Sequence, residues 1–217
     1  MRKVVQGLPK GDARMLKAAM LTFCIFITGC AELSDERIAN ANPLPIRVPV
    51  PVMLVTVGGT ICNGVLLNGQ TVATAAHCLS DGTAVSIVEA GFVAPATNTL
   101  VHPGYAMMVP ELAAGLDLAK LSVASQTGIL GEVAIRPVKS GLIEILVVTT
   151  SGEYRQIPCG YLGRSGAMVE LSCKVSLGWS GAPVVQNGAL VGILSARGRA
   201  QSVDIVQMAD ATLLDSF

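Results

Sequence analysis

From Pro51 onward the sequence breaks into short apolar runs separated by turn signals, and this rhythm limits what the chain can fold into more than any other feature. The runs are PVMLVTV, TICNGVLL, QTVATAA, TAVSIVEAGF, LDLAKLSV, VAIRPV, LIEILVVTT, EYRQIPC, AMVELSC, APVVQ, ALVGILSA and SVDIVQM. About a dozen strands at roughly ten-residue spacing predict an all-β sandwich or barrel. Asn68-Gly69 and Asn187-Gly188 mark two hairpins, because Asn-Gly accepts the positive φ of a tight strand reversal. Only Met208 to Phe217 (MADATLLDSF) reads as a helix, with Leu213, Leu214 and Phe217 placed to pack back on the body. The stretch Gln126 to Glu132 divides two halves of similar strand content, 52–125 and 126–217.

The N-terminus sets the compartment. Arg2, Lys3, Lys10, Arg14 and Lys17 precede the apolar run Ala18 to Ile27, which is too short to span a bilayer and right for a signal-peptide core. It ends in Ile27-Thr28-Gly29-Cys30, which resembles the bacterial lipobox. The resemblance implies removal of residues 1–29, a lipidated Cys30 and a chain anchored outside the cytoplasm. Ala31 in the next position points to the periplasmic side of an outer membrane. Met15 begins a complete short signal of its own. Residues 30–51, polar and then proline-rich (NPLPIRVPVP), are expected to form an extended tether.

Without residues 1–29 the chain carries ten basic and fourteen acidic residues and no basic stripe, so nucleic acid is not an expected partner. Of the six cysteines, Cys24 leaves with the signal and Cys30 carries lipid, leaving four and three possible pairings. Cys62 and Cys78 flank the Asn68-Gly69 turn, and Cys159 and Cys173 lie symmetrically about Gly166. Each pair thus falls near opposed positions of a hairpin, which predicts the bridges Cys62–Cys78 and Cys159–Cys173. There is no CxxC spacing and no histidine cluster, so neither a metal nor any other cofactor is expected.

His77 and His102 are the two histidines. His77 follows an apolar strand and precedes Cys78, whose bridge would pin the loop, as a general base requires. His102, before Pro103, is expected on a surface turn. Ser180 sits in Gly178-Trp179-Ser180-Gly181-Ala182-Pro183, where the glycines permit a sharp turn that presents backbone N–H groups to an oxyanion. Asp117 lies within an otherwise apolar run, and a carboxylate buried there needs donors such as a histidine N–H.

The set TAAHC, LDLAKL and GWSGAP, followed by an apolar strand and Gly192-Ile193-Leu194-Ser195, resembles the trypsin or chymotrypsin-like serine peptidases in their compact bacterial form. Val101-His102-Pro103-Gly104-Tyr105 is similar to the family segment before the triad aspartate, and the resemblance runs from about Met53 to Met208. It implies two six-stranded antiparallel β-barrels with the site between them. By the same motifs His77 is the general base, Asp117 its orienting carboxylate, Ser180 the nucleophile, and the amides of Gly178 and Ser180 the oxyanion hole. It also implies that Lys174 lies at the base of the primary specificity pocket, with Ser195 and Arg197 along a wall, favouring an acidic or small side chain. Trp179 departs from the family pattern, which places an aspartate there to receive an N-terminal ammonium; its indole is expected to wedge the loop by packing instead.

Chain order tests this independently. No histidine follows Ser180, which removes the α/β-hydrolase order, and the aspartates before His77 fall at positions 12 and 35, in the signal and tether. The resulting expectation is a membrane-tethered endopeptidase acting on protein or peptide substrates through an acyl-enzyme. Two alternatives share the fold: a tethered binding module with little catalysis, and an esterase.

Overall fold

The computed structural model describes residues 46–56, 58–79, 85–89, 92–105, 113–123, 131–197 and 205–217. The expected signal peptide, Cys30 and most of the expected tether lie outside them.

Strand β1 (Ile46–Arg47) pairs in parallel with β8 (Glu132–Val133). The other strands close into two six-stranded antiparallel barrels. The first barrel contains β2 (Val50–Thr56), β3 (Ile61–Asn68), β4 (Thr71–Thr74), β5 (Val85–Glu89), β6 (Phe92–Val101) and β7 (Ala119–Val123), ordered β2-β3-β4-β7-β6-β5. The second contains β9 (Leu142–Val148), β10 (Tyr154–Ser165), β11 (Met168–Ser172), β12 (Pro183–Gln186), β13 (Ala189–Arg197) and β14 (Ile205–Asp210), ordered β10-β11-β14-β13-β12-β9. Closure leaves neither barrel an unpaired edge.

Period-two patterning is visible in β7 and β11, where Leu121 and Leu171 point inward and alternate with less buried neighbours. In β3 the buried positions run continuously from Cys62 to Leu66, because both faces of this strand are covered. Val52, Leu54, Val65 and Leu121 fill the first core, and Ile143, Ile145, Val169 and Val184 fill the second. Asn187-Gly188 turns β12 into β13 with φ of 51° and 76°, the left-handed pair that a tight two-residue hairpin needs.

Three expectations change. Met208 to Asp210 are strand, and the helical part is a 3-10 turn over Ala211–Ser216, capped by the Asp210 side chain accepting from Thr212 N–H. Its Leu214 is buried in a cluster that joins first-barrel residues such as Leu121 to Leu190, Ile193 and Ala209 of the second, with Leu213 and Phe217 packed beside it. The tether expected over 30–51 is shorter at its C-terminal end, since Ile46–Arg47 and Val50–Pro51 already form strands. There Arg47 donates through Nη2 to the Leu66 carbonyl and through Nε to the Gly131 carbonyl at 3.4 Å. Finally, β6 contains Pro95 and Asn98 and is no apolar run, yet it pairs along its length with β5 and β7.

Both disulfides are as expected. Cys159 and Cys173 lie one position beyond the Gly160–Ser172 pair of the β10–β11 hairpin, with Cα atoms 4.9 Å apart. Cys62 on β3 joins Cys78 across 6.2 Å, but Cys78 belongs to a 3-10 turn, Ala76–Leu79, past the end of β4. This bridge therefore fastens the His77 turn to β3 rather than two paired strands to each other.

Candidate active site

His77 leaves the end of β4 on its 3-10 turn, bracketed by buried Ala76 and by Cys78 in its disulfide. Asp117 is not inside a strand as the sequence suggested. It occupies the bend between a 3-10 turn over Ala113–Leu116 and the start of β7, where Leu118 N–H reaches back to the Leu116 carbonyl at 2.8 Å. That bend takes the aspartate out of the β7 ladder and aims both carboxylate oxygens at donors.

Asp117 is 3% exposed and accepts three hydrogen bonds. Its Oδ1 takes the His77 backbone N–H at 2.8 Å, and its Oδ2 takes His77 Nδ1–H at 2.6 Å and the Ser195 hydroxyl at 2.5 Å. A carboxylate so buried is tolerable only because its lone pairs are satisfied in this way. Two of the three bonds fix His77 in position and orientation, and the one to Nδ1 assigns that nitrogen the proton. Nε2, on the far side of the ring, is left as the basic nitrogen. Tyr105, packed against the first core, lies close enough that burial and then the Asp117 charge raise its phenol above 10.0.

Ser195 and Ser180 have different surroundings. Ser195, on β13, is 3% exposed and gives its proton to Asp117 on the Nδ1 side of the imidazole. It cannot also present that proton to Nε2. Ser180 is half-buried in the turn before β12, and its carbonyl accepts the Asn63 N–H from β3 at 2.6 Å. Gly181 follows with φ of 82°, and a Cβ there would lie 2.0 Å from the Asn63 carbonyl oxygen and 2.3 Å from Thr74 Oγ1. Thr74 ends β4, three residues before His77. The serine turn is thus pressed against the two strands that lead to the histidine.

Gly178, with φ of 85°, precedes Trp179. Trp179 N–H bonds to the Ser176 carbonyl, and Ala182 N–H closes the turn on the Trp179 carbonyl. Among the described residues no acceptor engages the Gly178 or Ser180 N–H groups, which are those expected to form an oxyanion hole. The Trp179 side chain is half-buried and packs on the second core.

The remaining site expectations are located less fully. Lys174 is exposed just past Cys173. The Ser195 side chain is turned to Asp117, and the Arg197 side chain lies outside the described residues. His102 is half-buried on its turn, with Nδ1 accepting Gly104 N–H and its ring edge-on to Phe217 at 5.1 Å. Cys62, His77 and Cys78 place potential ligand atoms within 4.8 Å, but the two sulfurs are bonded to each other and offer no thiolate to a metal. Asn63 went unnoticed in the sequence, although a lone amide inside the apolar run ICNGVLL was a signal that a buried polar group had partners to find.

Residues 39–132 match the trypsin family model. The matched segment carries His77 and Asp117 of the candidate site. The comparison with curated proteins gives no significant match. Among solved structures, the chain is similar to kallikrein-related peptidase 10 in complex with Zn2+ (21% identity, TM-score 0.59, covering 76% of this chain and 92% of that one). It is also similar to a Glu endopeptidase in complex with MPD (20% identity, TM-score 0.61, covering 76% and 86%). A third likeness is to the inactive form of the Rv3671c protease of M. tuberculosis (15% identity, TM-score 0.58, covering 79% and 96%). At these identities the likeness establishes the chymotrypsin-like fold.

Proposed function

We propose that the protein is a serine endopeptidase in which Ser180 is the nucleophile, His77 the general base and Asp117 the carboxylate that orients it. The observation that carries this reading is the Asp117 carboxylate, which holds His77 by both its backbone N–H and its Nδ1–H. Nε2 accepts the Ser180 hydroxyl proton as Oγ attacks the scissile carbonyl carbon. The developing oxyanion is met by the Gly178 and Ser180 N–H groups, and the imidazolium returns its proton to the departing amine. A water molecule, deprotonated by the same nitrogen, then hydrolyses the acyl-enzyme.

A fluorophosphonate probe tests the assignment. The parent and Ser195→Ala should be labelled at Ser180, while Ser180→Ala should not be. A folded parent that takes no label would instead support a binding module.

For specificity, the proposal is an acidic or small side chain before the scissile bond, resting on the cations Lys174 and Arg197 and consistent with the likeness to a Glu endopeptidase. Efficient cleavage of a peptide library after Lys or Arg would overturn it. The proposal also places the enzyme on a membrane through a lipid on Cys30 after loss of residues 1–29, supported by the lipobox-like Ile27-Thr28-Gly29-Cys30. Incorporation of labelled palmitate, abolished in Cys30→Ala, is the expected result, and a fully soluble, unacylated wild-type protein would refute it.

A further inference from the structure

Asn63 is fully buried, and every one of its hydrogen-bonding groups has a partner in a different segment. Its backbone N–H donates to the Ser180 carbonyl at 2.6 Å, and its carbonyl accepts from Thr74 Oγ1 at 2.7 Å. Its side-chain Nδ2 donates to the Gly178 carbonyl at 2.9 Å and the Val148 carbonyl at 3.1 Å, and Oδ1 accepts the Val148 N–H at 2.7 Å. One residue of the first barrel thus grips the carbonyls on both sides of Trp179 and ties them to the end of β9 in the second barrel.

We infer that Asn63 is the positioning residue that holds the Gly178 to Ser180 loop with its two N–H groups free for an oxyanion. A peptide unit has one soft torsion on each side, so a loop carrying two flanking glycines keeps its amides aimed only if its carbonyls are anchored. The residue before the nucleophile is Trp179, which has no charge with which to anchor anything, and its N–H is used locally on Ser176. Ala182 N–H closes on the Trp179 carbonyl within the turn and Gly181 N–H donates to the Leu194 carbonyl, while the Gly178 and Ser180 carbonyls are both held by Asn63. Because Asn63 neither touches the reacting atoms nor lines the base, its removal should slow the chemical step without altering probe affinity. The inference rests on Ser180 being the nucleophile.

The chain's single tryptophan lies inside the loop, so its fluorescence reports the loop directly. In the full-length protein, Asn63→Ala should leave far-UV circular dichroism unchanged, increase acrylamide quenching of Trp179, and slow phosphonylation of Ser180 by about ten- to a hundredfold. That range lies below the 10²–10³ typical of losing an oxyanion donor outright. The fall should appear in the maximal inactivation rate and not in the half-saturating probe concentration. Where Asn63→Ala does not fold, Asn63→Ser keeps a small polar side chain on β3 whose single hydroxyl donor cannot serve both the Gly178 and Val148 carbonyls, and the same two readings apply. Parent-like quenching in the folded variant overturns the inference, as does a parent-like inactivation rate. A parent that takes no label removes the proposed function, and the quenching comparison then still decides the role of Asn63.

Discussion

Ser195 Oγ and His77 Nδ1 share one oxygen, Asp117 Oδ2, at 2.5 and 2.6 Å. Two donors on one oxygen hold the carboxylate in its plane and commit the Ser195 proton to Asp117. Ser195→Ala should therefore lower kcat by roughly the worth of one charge-assisted hydrogen bond, about 1.5–3 kcal/mol or ten- to two-hundredfold. It should leave probe labelling of Ser180 intact. Complete loss of labelling in a folded Ser195→Ala protein would identify the wrong serine.

Asp117→Asn is expected to be far more damaging. Three donors converge on this carboxylate, and an amide must turn its own N–H groups toward at least one of them, which favours the wrong imidazole tautomer. A fall in kcat on the order of 10⁴-fold with little change in thermal stability is the expected outcome of steady-state kinetics and a melting curve.

Gly181→Ala tests the packing of the serine turn. The new Cβ would meet the Asn63 carbonyl oxygen at 2.0 Å, and φ of 82° disfavours any L side chain by about 1–2 kcal/mol before the clash is counted. The turn must shift or the protein unfold, so both Tm and labelling rate should drop. Unchanged values for both would mean the turn does not sit against β3.

The disulfides should contribute differently. Their sequence separations of 16 and 14 predict similar chain-entropy effects, about 3 kcal/mol each. Only Cys62–Cys78 pins the His77 turn. The double variant Cys62→Ala with Cys78→Ala should lose activity beyond its stability cost, while Cys159→Ala with Cys173→Ala should retain the kcat of its folded fraction. Non-reducing peptide mapping checks the pairing itself.

Tyr105 gives a pH dependence with a definite sign. Burial, then the Asp117 charge, raises its folded pKa above 10.0, so the unfolded chain releases this proton first. Its contribution is fully present below about pH 10 and is lost as pH rises through the folded value. Urea midpoints measured from pH 9 upward should fall less steeply in Tyr105→Phe than in the parent.

Much of this molecule was legible because its chemistry sits in short motifs whose residue types are hard to explain otherwise. His77 next to Cys78 and Asp117 in an apolar run pointed to two side chains that the structure joins, and Ser180 between glycines to a turn that it places before β12. What escaped was carried by context. Strand β6 is held by partners on both sides, so Pro95 and Asn98 do not break it, and a search for apolar runs passes over it. Met208 to Asp210 extend a strand because β11 and β13 already flank them, which overrides a helical pattern in MADATLLDSF. Ser195 matched the family as part of a substrate wall, and only coordinates reveal its hydroxyl turned the other way. Asn63 gave one local sign, a lone amide in an apolar run, but nothing nearby named its partners, which lie as far as 115 positions away along the chain.

The 3-10 turn over Ala211–Ser216 follows the second barrel and places Leu214 in a cluster shared by both barrels, where Lys120 Nζ of β7 also donates to the Leu214 carbonyl at 3.0 Å. Strands β2 to β7 therefore precede by a long stretch of chain the residues that tie them to the second barrel. A chain ending ahead of Ala211 lacks the Leu214 packing and the Lys120 bond and should be more sensitive to added protease. A few more residues should confer resistance on both halves together. The candidate site, drawn from both barrels, would then be complete only once the last residues of the chain had joined the fold.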